Sequence, residues 1–357
     1  MKILFLSKQL DGHGGMETIS AALYQGLNQA NRCHFIFFAG SKAINTQWLS
    51  NVSFEICDSK LPKFLRLLQY KNYLRKQIKS IAPDIIVCLD PDCCEVAKSV
   101  QTQSPVVSWL HFSIQAFKSR DIQRLKQADY HIAIAPGILD QLRGQGVSEA
   151  VSTYIPNFVE PKDARLLKNE NDGCLNLVYV GRVQFETDKY LKDLFDALVS
   201  LKIDWHLDIV GSGAEFQRCQ EYALAKLGND EKNITWHGWQ ANPWEYLLKK
   251  SLEFNYLILT SHREGFPMVI LEAFSYGLPC ICSDINPGTR GIVTGEMGLL
   301  YPCGDVGALH ALLEKSAPER KWHDREIKDN AKPYYKNEVI DRFDRILKKW
   351  VIDYSKK

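Results

Sequence analysis

The feature that most constrains this chain is a rhythm. Short apolar runs each end at a glycine or polar turn, and each is followed by a stretch with helical spacing. "KILFLS" (2–7) ends at the turn Gly12–Gly15, and Ile19, Leu23 and Leu27 then recur at helical spacing. "CHFIFFA" (33–39), "DIIVCLD" (84–90), "PVVSWL" (105–110) and "YHIAIA" (130–135) repeat the theme. Continuous apolar runs of this length suit strands buried on both faces, and helices between them imply right-handed crossovers in a parallel sheet. The polar segment "EPKDARLLKNENDGC" (160–174) breaks the rhythm and reads as a linker. The pattern restarts with "LNLVYVG" (175–181), a helix over 189–200, "WHLDIVGSG" (205–213), "NITWHGW" (233–239), "YLILTS" (256–261) and "LPCICSD" (278–284). "VIDRFDRILKKWVIDY" (339–354) reads as an amphipathic helix with Phe343, Leu347, Trp350 and Val351 on one side.

The expected fold is α/β, with two doubly wound Rossmann-like domains facing across a cleft. Residues 1–160 form the first domain, with the C-terminal helix 339–357 packing back towards it, and residues 161–338 form the second. A length of 357 residues, 45% of them apolar, suits two cores better than one.

Ligands of doubly wound sheets bind outside the carboxyl ends of the strands, so the loops that follow strands hold the candidate residues. After the first strand, "DGHGGMET" carries Gly12, Gly14 and Gly15 ahead of a helix. Such a loop lets the backbone approach an anion at a helix N-terminus, and it is equally consistent with a tight turn. A dinucleotide fingerprint would need glycine where Glu17 stands, which argues against a nicotinamide-dependent oxidoreductase. After "LNLVYV", Arg182 leaves the strand end and Lys189 opens the next helix. An arginine fork and a lysine point charge can neutralise a pyrophosphate.

The loop after "YLILTS" is the richest. In "SHREGFPMVILEAFSYGLPCICSD" (261–284), Glu264 lies in the loop and Glu272 lies in a run with helical spacing. Pro267 is placed as the first helical residue, which leaves the N–H groups of Met268, Val269 and Ile270 open to phosphate oxygens. Glu272 interrupts an apolar run, where a carboxylate needs partners. Two neighbouring hydroxyls, as on a ribose, would serve. His111, just after "PVVSWL", is either a satisfied polar group or a ligand-facing one.

Charge is uneven. Residues 1–157 hold 17 Lys and Arg against 12 Asp and Glu, and the remainder is slightly acidic. Part of the excess lies in "KLPKFLRLLQYKNYLRKQIKS" (60–80), which has seven basic residues and no acid. Leu67, Leu74 and Ile78 suggest its apolar stripe, and Lys71, Arg75 and Lys79 fall on another face. That face suits anionic lipid heads, phosphorylated saccharide or plain solvent. The ten cysteines include no C-x-x-C pair, and unpatterned thiols fit a reducing compartment. "MKILFLSKQLDGHGG" lacks the long apolar run of a signal peptide, and no apolar stretch is long enough to span a bilayer.

Glu264, seven residues, Glu272, set in "EGFPMVILEAFSYGLPCICSD", resembles the donor-site signature of the retaining GT-B glycosyltransferases of family four. "GGME", "GRV…K", "IVGSGAEF" and "HGW" occur in that family's order, so the resemblance covers nearly the whole chain. "GGMETIS", "DIIVCLD", "SWLHFS", "YVGRVQFE" and "HGWQANPW" resemble in particular the branch that adds a 1,6-linked galactose to the lipopolysaccharide core.

The resemblance implies a hexosyltransferase that moves a hexose, galactose from UDP-galactose, onto a glucose of the lipopolysaccharide core with retention of configuration. Glu272 would bind the ribose, and Arg182 and Lys189 the diphosphate. Gly265, Phe266, Pro267, Met268 and Val269 would present the loop and helix start to sugar and phosphate, and Glu264 would contact the sugar. Gly14 and Gly15 would close over the diphosphate, and His237, Gly238 and Trp239 would line the uracil. His111 would stand near the reaction centre in an acceptor-binding first domain. Tyr190 and a longer loop depart from the family's pattern, in which glycine follows the lysine.

The partners implied are a UDP-hexose, a lipopolysaccharide core acceptor and an anionic membrane surface, with no nucleic acid. The expected site is the inner face of the cytoplasmic membrane. No metal or other cofactor is expected, since "DPD" at Asp90–Asp92 reads as a strand-end turn. UDP-glucose or UDP-N-acetylglucosamine as donor to another lipid-linked or capsular saccharide, or a UDP-sugar epimerase of the same architecture, remain alternatives.

Overall fold

In the computed structural model, which describes residues 1–8, 15–39, 46–100, 102–168, 173–316 and 321–356, each of these apolar runs forms a parallel strand. The chain divides into two units, residues 1–158 with 336–357, and residues 159–335.

The first unit contains β1 (Lys2–Ser7), α1 (Gly15–Leu27), β2 (Arg32–Ala39), β3 (Phe54–Asp58), α2 (Lys63–Ile81), β4 (Ile85–Cys88), α3 (Pro91–Ser99), β5 (Val106–Leu110), α4 (Ser119–Leu125), β6 (Tyr130–Ala133), α5 (Pro136–Gly144) and β7 (Ser152–Tyr154). Its strands lie in the order β3-β2-β1-β4-β5-β6-β7. The order reverses between β1 and β4, which is the switch point of a doubly wound sheet. Every residue of β4 and β5 is buried, as expected for strands covered by helices on both faces. A pocket of about 520 Å³ lined by Lys2, Arg32 and Asp84 opens at the amino ends of β1, β2 and β4, away from the ligand-binding edge of such a sheet.

The second unit contains β8 (Cys174–Val180), α6 (Leu191–Leu198), β9 (Asp204–Val210), α7 (Phe216–Leu227), β10 (Ile234–Gly238), α8 (Pro243–Lys249), β11 (Tyr256–Leu259), α9 (Met268–Ser275), β12 (Cys280–Asp284), β13 (Gly298–Pro302), α10 (Val306–Ser316) and α11 (Asp324–Ala331). Its order is β10-β9-β8-β11-β12-β13, the same winding. The chain then returns to the first unit as α12 (Lys336–Ser355). The apolar side of α12 explains the return. Phe343 meets Trp109 edge-on at 5.3 Å, Trp350 stacks on Tyr130 at 4.6 Å, and Asp344 accepts from Asn31 Nδ2 at 2.8 Å. Each buried aromatic of this kind contributes roughly 1.5–3 kcal/mol.

Two expectations change. Residues 160–168 are part of the second unit and not a free linker. Leu166 and Leu167 are buried, and Leu166 and Lys168 exchange backbone hydrogen bonds with Phe254 at 2.8 Å each. The charged neighbours of those two leucines concealed them. The strands β3, β7 and β13 have no apolar run longer than three residues. β3 and β13 are edge strands carrying Glu55 and Asp58 or a terminal proline, and β7 is an edge strand of three residues. Charges, proline and short length are how sheet edges are kept from pairing further.

Candidate active site

The second unit gathers its strand ends into a tight bundle of loops. Gly181 N–H donates to Val210 O at 3.0 Å, Gly211 N–H to Gly238 O at 2.8 Å, and Val183 N–H to Ser212 O at 3.0 Å. Glycine at 211 is obligatory, because its φ is +149° and a Cβ there would lie 1.8 Å from Gly181 O. These ties bring the β8, β9 and β10 loops to one edge, where Arg182 leaves β8. Arg182 is exposed and has no ion pair among the described residues. The hydroxyl of Tyr179, buried beneath it, donates to Arg182 O at 2.6 Å and so fixes the backbone that carries the guanidinium.

Lys189 and Glu264 meet here. Lys189 Nζ lies 2.5 Å from Glu264 Oε1, which also accepts from Ser261 Oγ at 2.7 Å. Ser261 is held in turn, since its carbonyl accepts from the Ser283 hydroxyl. Gly288 packs against Glu264 so closely that a Cβ on it would come 3.1 Å from Glu264 Cβ. The loops after β8 and β11 are sewn together by His262 N–H to Asp188 O at 2.8 Å. The Thr260 hydroxyl adds contacts at 3.1 Å to both Lys189 O and Tyr190 O.

The helix α9 starts one residue later than its sequence suggests. Pro267 is the cap and Met268 the first helical residue. Ile270 N–H is also occupied, donating to Pro267 O at 3.1 Å. The open donors are therefore Met268 and Val269 alone, among the described residues, at the positive end of the helix dipole. Gly265 and Phe266 form the turn into this helix, with Phe266 buried as its anchor. Glu272 stands at the second turn, half-buried. Its Oε2 accepts from Trp244 Nε1 at 2.7 Å, the one hydrogen bond to its carboxylate among the described residues. Burial pushes its carboxyl up from the ordinary range, and the indole hydrogen bond opposes this in smaller measure.

At the end of β10 the ladder is bulged at His237, and Gly238 takes φ +67°. His237 Nε2 lies 2.5 Å from the buried Asp208 and Nδ1 lies 3.0 Å from the Tyr246 hydroxyl. The side chain of His237 is thereby spoken for, and the loop presents its backbone and the ring of Trp239, which is 70% exposed. Arg182, Lys189, His237–Trp239, Gly265–Val269, Glu264 and Glu272 thus all belong to one unit.

The remaining candidates belong to the first unit. His111, at the end of β5, is 6% exposed and packs against Trp109 at 4.3 Å. Its Nε2 has no hydrogen-bond partner among the described residues, and burial pushes its pKa down to about 3, so it is neutral. Gly15 is the exposed first residue of α1, and Gly14 lies outside the described residues. On α2, Leu74 is buried, Leu67 and Ile78 are half-buried, Lys71 is half-buried, and Arg75 and Lys79 are exposed. Asp90 is a helix cap accepting from Cys93 N–H at 3.0 Å, and Asp92 pairs with Lys8 and Arg124.

Sequence reading did not single out Ser261, Thr260, His262, Asp193, Trp244 or Asp208. Their sole signal is position: three follow directly on β11, and Asp193 opens α6. Ser261 reaches Glu264 three residues away, and the other five are linked to the site by contacts across 28 to 71 residues.

Comparison with known proteins places the chain in a family. The family described as glycosyl transferases group 1 matches residues 162–333, and glycosyltransferase family 4 matches residues 13–163. The lipopolysaccharide 1,6-galactosyltransferase of Escherichia coli K12 is 34% identical over 355 residues, 97% of this chain and 98% of that protein. Its namesake from Salmonella typhimurium LT2 is 34% identical over 86% of this chain and 87% of its own length. The apo structure of the lipopolysaccharide outer core galactosyltransferase WaaB superposes with a TM-score of 0.88 at 33% identity, over 96% of this chain and 98% of that one. Anabaena HepE in complex with UDP shares the fold, with a TM-score of 0.77 at 16% identity over 98% of this chain and all of its own. With two doubly wound domains, matches to both halves of the family and full-length relatives at one-third identity, the chain belongs to the family 4 GT-B glycosyltransferases.

Proposed function

We propose that this enzyme transfers galactose from UDP-galactose to a glucose residue of the lipopolysaccharide core, forming an α-1,6 branch with retention at the anomeric carbon. The observation that carries the reading is the arrangement in the second unit. Lys189 is paired with Glu264, four residues ahead of an open helix N-terminus, and Glu272 stands at the next turn of that helix. Glu272 takes the ribose hydroxyls. Met268 and Val269 N–H, Arg182 and Lys189 take the diphosphate. Glu264 takes a hydroxyl of the sugar, and the His237–Trp239 loop takes the base. Full-length kinship to 1,6-galactosyltransferases supports the sugar and the acceptor.

In the reaction, the bond from the anomeric carbon to the diphosphate breaks and a bond to the acceptor hydroxyl forms on the same face. The hydroxyl proton passes to a phosphate oxygen, and UDP leaves. Charge grows on the diphosphate as the bond breaks, where two cations and two preorganised amides stabilise it most. The first unit, which carries His111, takes the acceptor. Transfer in this reading needs no divalent metal, and the rate is the same with EDTA.

No helix among the described residues is long and apolar enough to cross a membrane. The enzyme instead meets the anionic inner leaflet through α2. Leu65, Leu68, Asn72, Arg75 and Lys79 recur at three- and four-residue spacing and form one exposed stripe, apolar at one end and basic at the other. Replacing Lys71, Arg75 and Lys79 by Glu abolishes binding to anionic vesicles; retained binding removes the membrane role.

The functional test is transfer of labelled galactose from UDP-galactose to lipopolysaccharide lacking the branch. Labelled core oligosaccharide and free UDP are expected. Release of UDP-glucose without acceptor would identify an epimerase, and a preference for UDP-glucose or UDP-N-acetylglucosamine would replace the donor.

A further inference from the structure

The residue after Lys189 has an unusual backbone. Tyr190 sits in the left-handed region, with φ 47° and ψ 50°, which side chains other than glycine disfavour. Its surroundings hold it there. The Tyr190 ring lies flat on the His262 ring, with centroids 3.5 Å apart and planes 3° apart. His262 Nε2 is held by Asp193 Oδ2 at 2.7 Å, and Asp193 is buried in the first turn of α6. The Thr260 hydroxyl reaches the carbonyls of Lys189 and Tyr190, and His262 N–H reaches Asp188 O. Residues 188–190 are therefore clamped through their backbone and through the Tyr190 ring. Lys189 lies inside the clamp, with its ammonium on Glu264.

We propose that the Tyr190–His262 stack, anchored by Asp193, is a positioning device for Lys189. It fixes the left-handed turn that aims the ammonium at Glu264 and at the departing diphosphate. The proposal rests on the assignment of Lys189 to the diphosphate. Glycine would adopt this backbone at no steric cost but would also populate many others. The stacked tyrosine selects one, so the charge is oriented before the donor arrives, and such preorganisation acts on the transition state more than on binding.

The test is a double-mutant cycle on steady-state galactosyl transfer. Tyr190→Ala and His262→Ala are expected to lower kcat about tenfold, within the range of coupled neighbours, with the donor KM within about twofold of wild type. Tyr190→Phe, which keeps the stack, restores at least half the rate. In a Lys189→Ala background, Tyr190→Ala costs less than about twofold, because the group it positions is already gone. Tyr190→Gly fits the backbone and folds even where alanine does not, and it too is expected to lose kcat. An undiminished kcat in Tyr190→Gly overturns the proposal, as does an equal loss from Tyr190→Ala in both backgrounds. A wild-type rate in Lys189→Ala overturns the diphosphate assignment and this device with it. A defective Lys189→Ala with additive losses overturns this device alone.

Discussion

The carboxylate of Glu272 gives a prediction in which stability and function move in opposite directions. Glu272→Gln keeps the size of the side chain and an acceptor for the Trp244 indole, now at 2.7 Å, and removes the charge. Burial raises the carboxyl's pKa in the folded chain. A carboxyl raised on folding contributes stability that is present below its unfolded pKa and lost as pH rises through its folded value. At neutral pH the native state therefore carries the desolvation cost of this charge, and the amide removes it. The melting temperature of Glu272→Gln at pH 7 should be unchanged or higher. UDP binding should weaken. A hydrogen bond to a charged group contributes about 1.5–3 kcal/mol against about 0.5–1.5 for a neutral one. Two ribose hydroxyls losing that difference cost roughly 2 kcal/mol, or about 30-fold in Kd. The assay is calorimetric titration with UDP and with its 2′-deoxy analogue. Wild type should discriminate strongly between them, and Glu272→Gln should discriminate weakly. UDP affinity in wild type should also decline on acidification from a higher pH than an ordinary glutamate would give, a limb absent from the variant. A Kd for Glu272→Gln within twofold of wild type would refute the ribose role.

Three further outcomes follow from the same structure. Arg182→Ala should weaken UDP binding about tenfold while changing stability by less than ~0.5 kcal/mol, because the exposed guanidinium holds no protein partner among the described residues; calorimetry and thermal melts read the two effects. Gly211→Ala should destabilise by roughly 3 kcal/mol in urea titration, because the new Cβ meets the backbone oxygen of Gly181, which cannot swing aside. Trp350→Ala should cost about 3–5 kcal/mol by the same measurement, since it removes the buried ring stacked on Tyr130 that docks α12 on the first unit.

Much of the fold was legible because a strand buried on both faces must be apolar throughout. That condition exposed β1, β2, β4, β5 and β6 in the first unit and the central strands of the second. It says little about edges: β10 was read, but β3, with Glu55 and Asp58, and β13, with its terminal proline, went unread. Candidate residues could be picked out where they follow a strand end directly, as with Arg182 and Glu264. They were illegible where the group acts by holding another. Trp244 and Glu272 are 28 residues apart, and His262 and Asp193 are 69 apart. No local pattern carries such a pairing, because only the winding of the sheet brings these loops together. The start of α9 shows a finer limit. A proline before a helix fits the cap and the first helical position alike, and one residue's difference decides which N–H groups stay open.

The resting contact between Lys189 and Glu264 bears on how the charges are used. Both side chains are largely shielded, so under the proposed assignment of Lys189 to the diphosphate the ammonium exchanges one charge-assisted hydrogen bond for another or shares itself between them. The net gain in ground-state affinity from Lys189 is then small. As the sugar–phosphate bond breaks, charge accumulates on the diphosphate and none accumulates on Glu264, so the balance shifts towards the leaving group. Glu264 does not drift when the lysine turns away, because Ser261 still donates to the same oxygen and Gly288 still packs against its stem. Under that assignment a lysine whose resting partner is a fixed carboxylate should act on kcat and leave KM nearly untouched, whereas Arg182, without an ion pair among the described residues, should add its attraction as soon as the donor binds and act on KM.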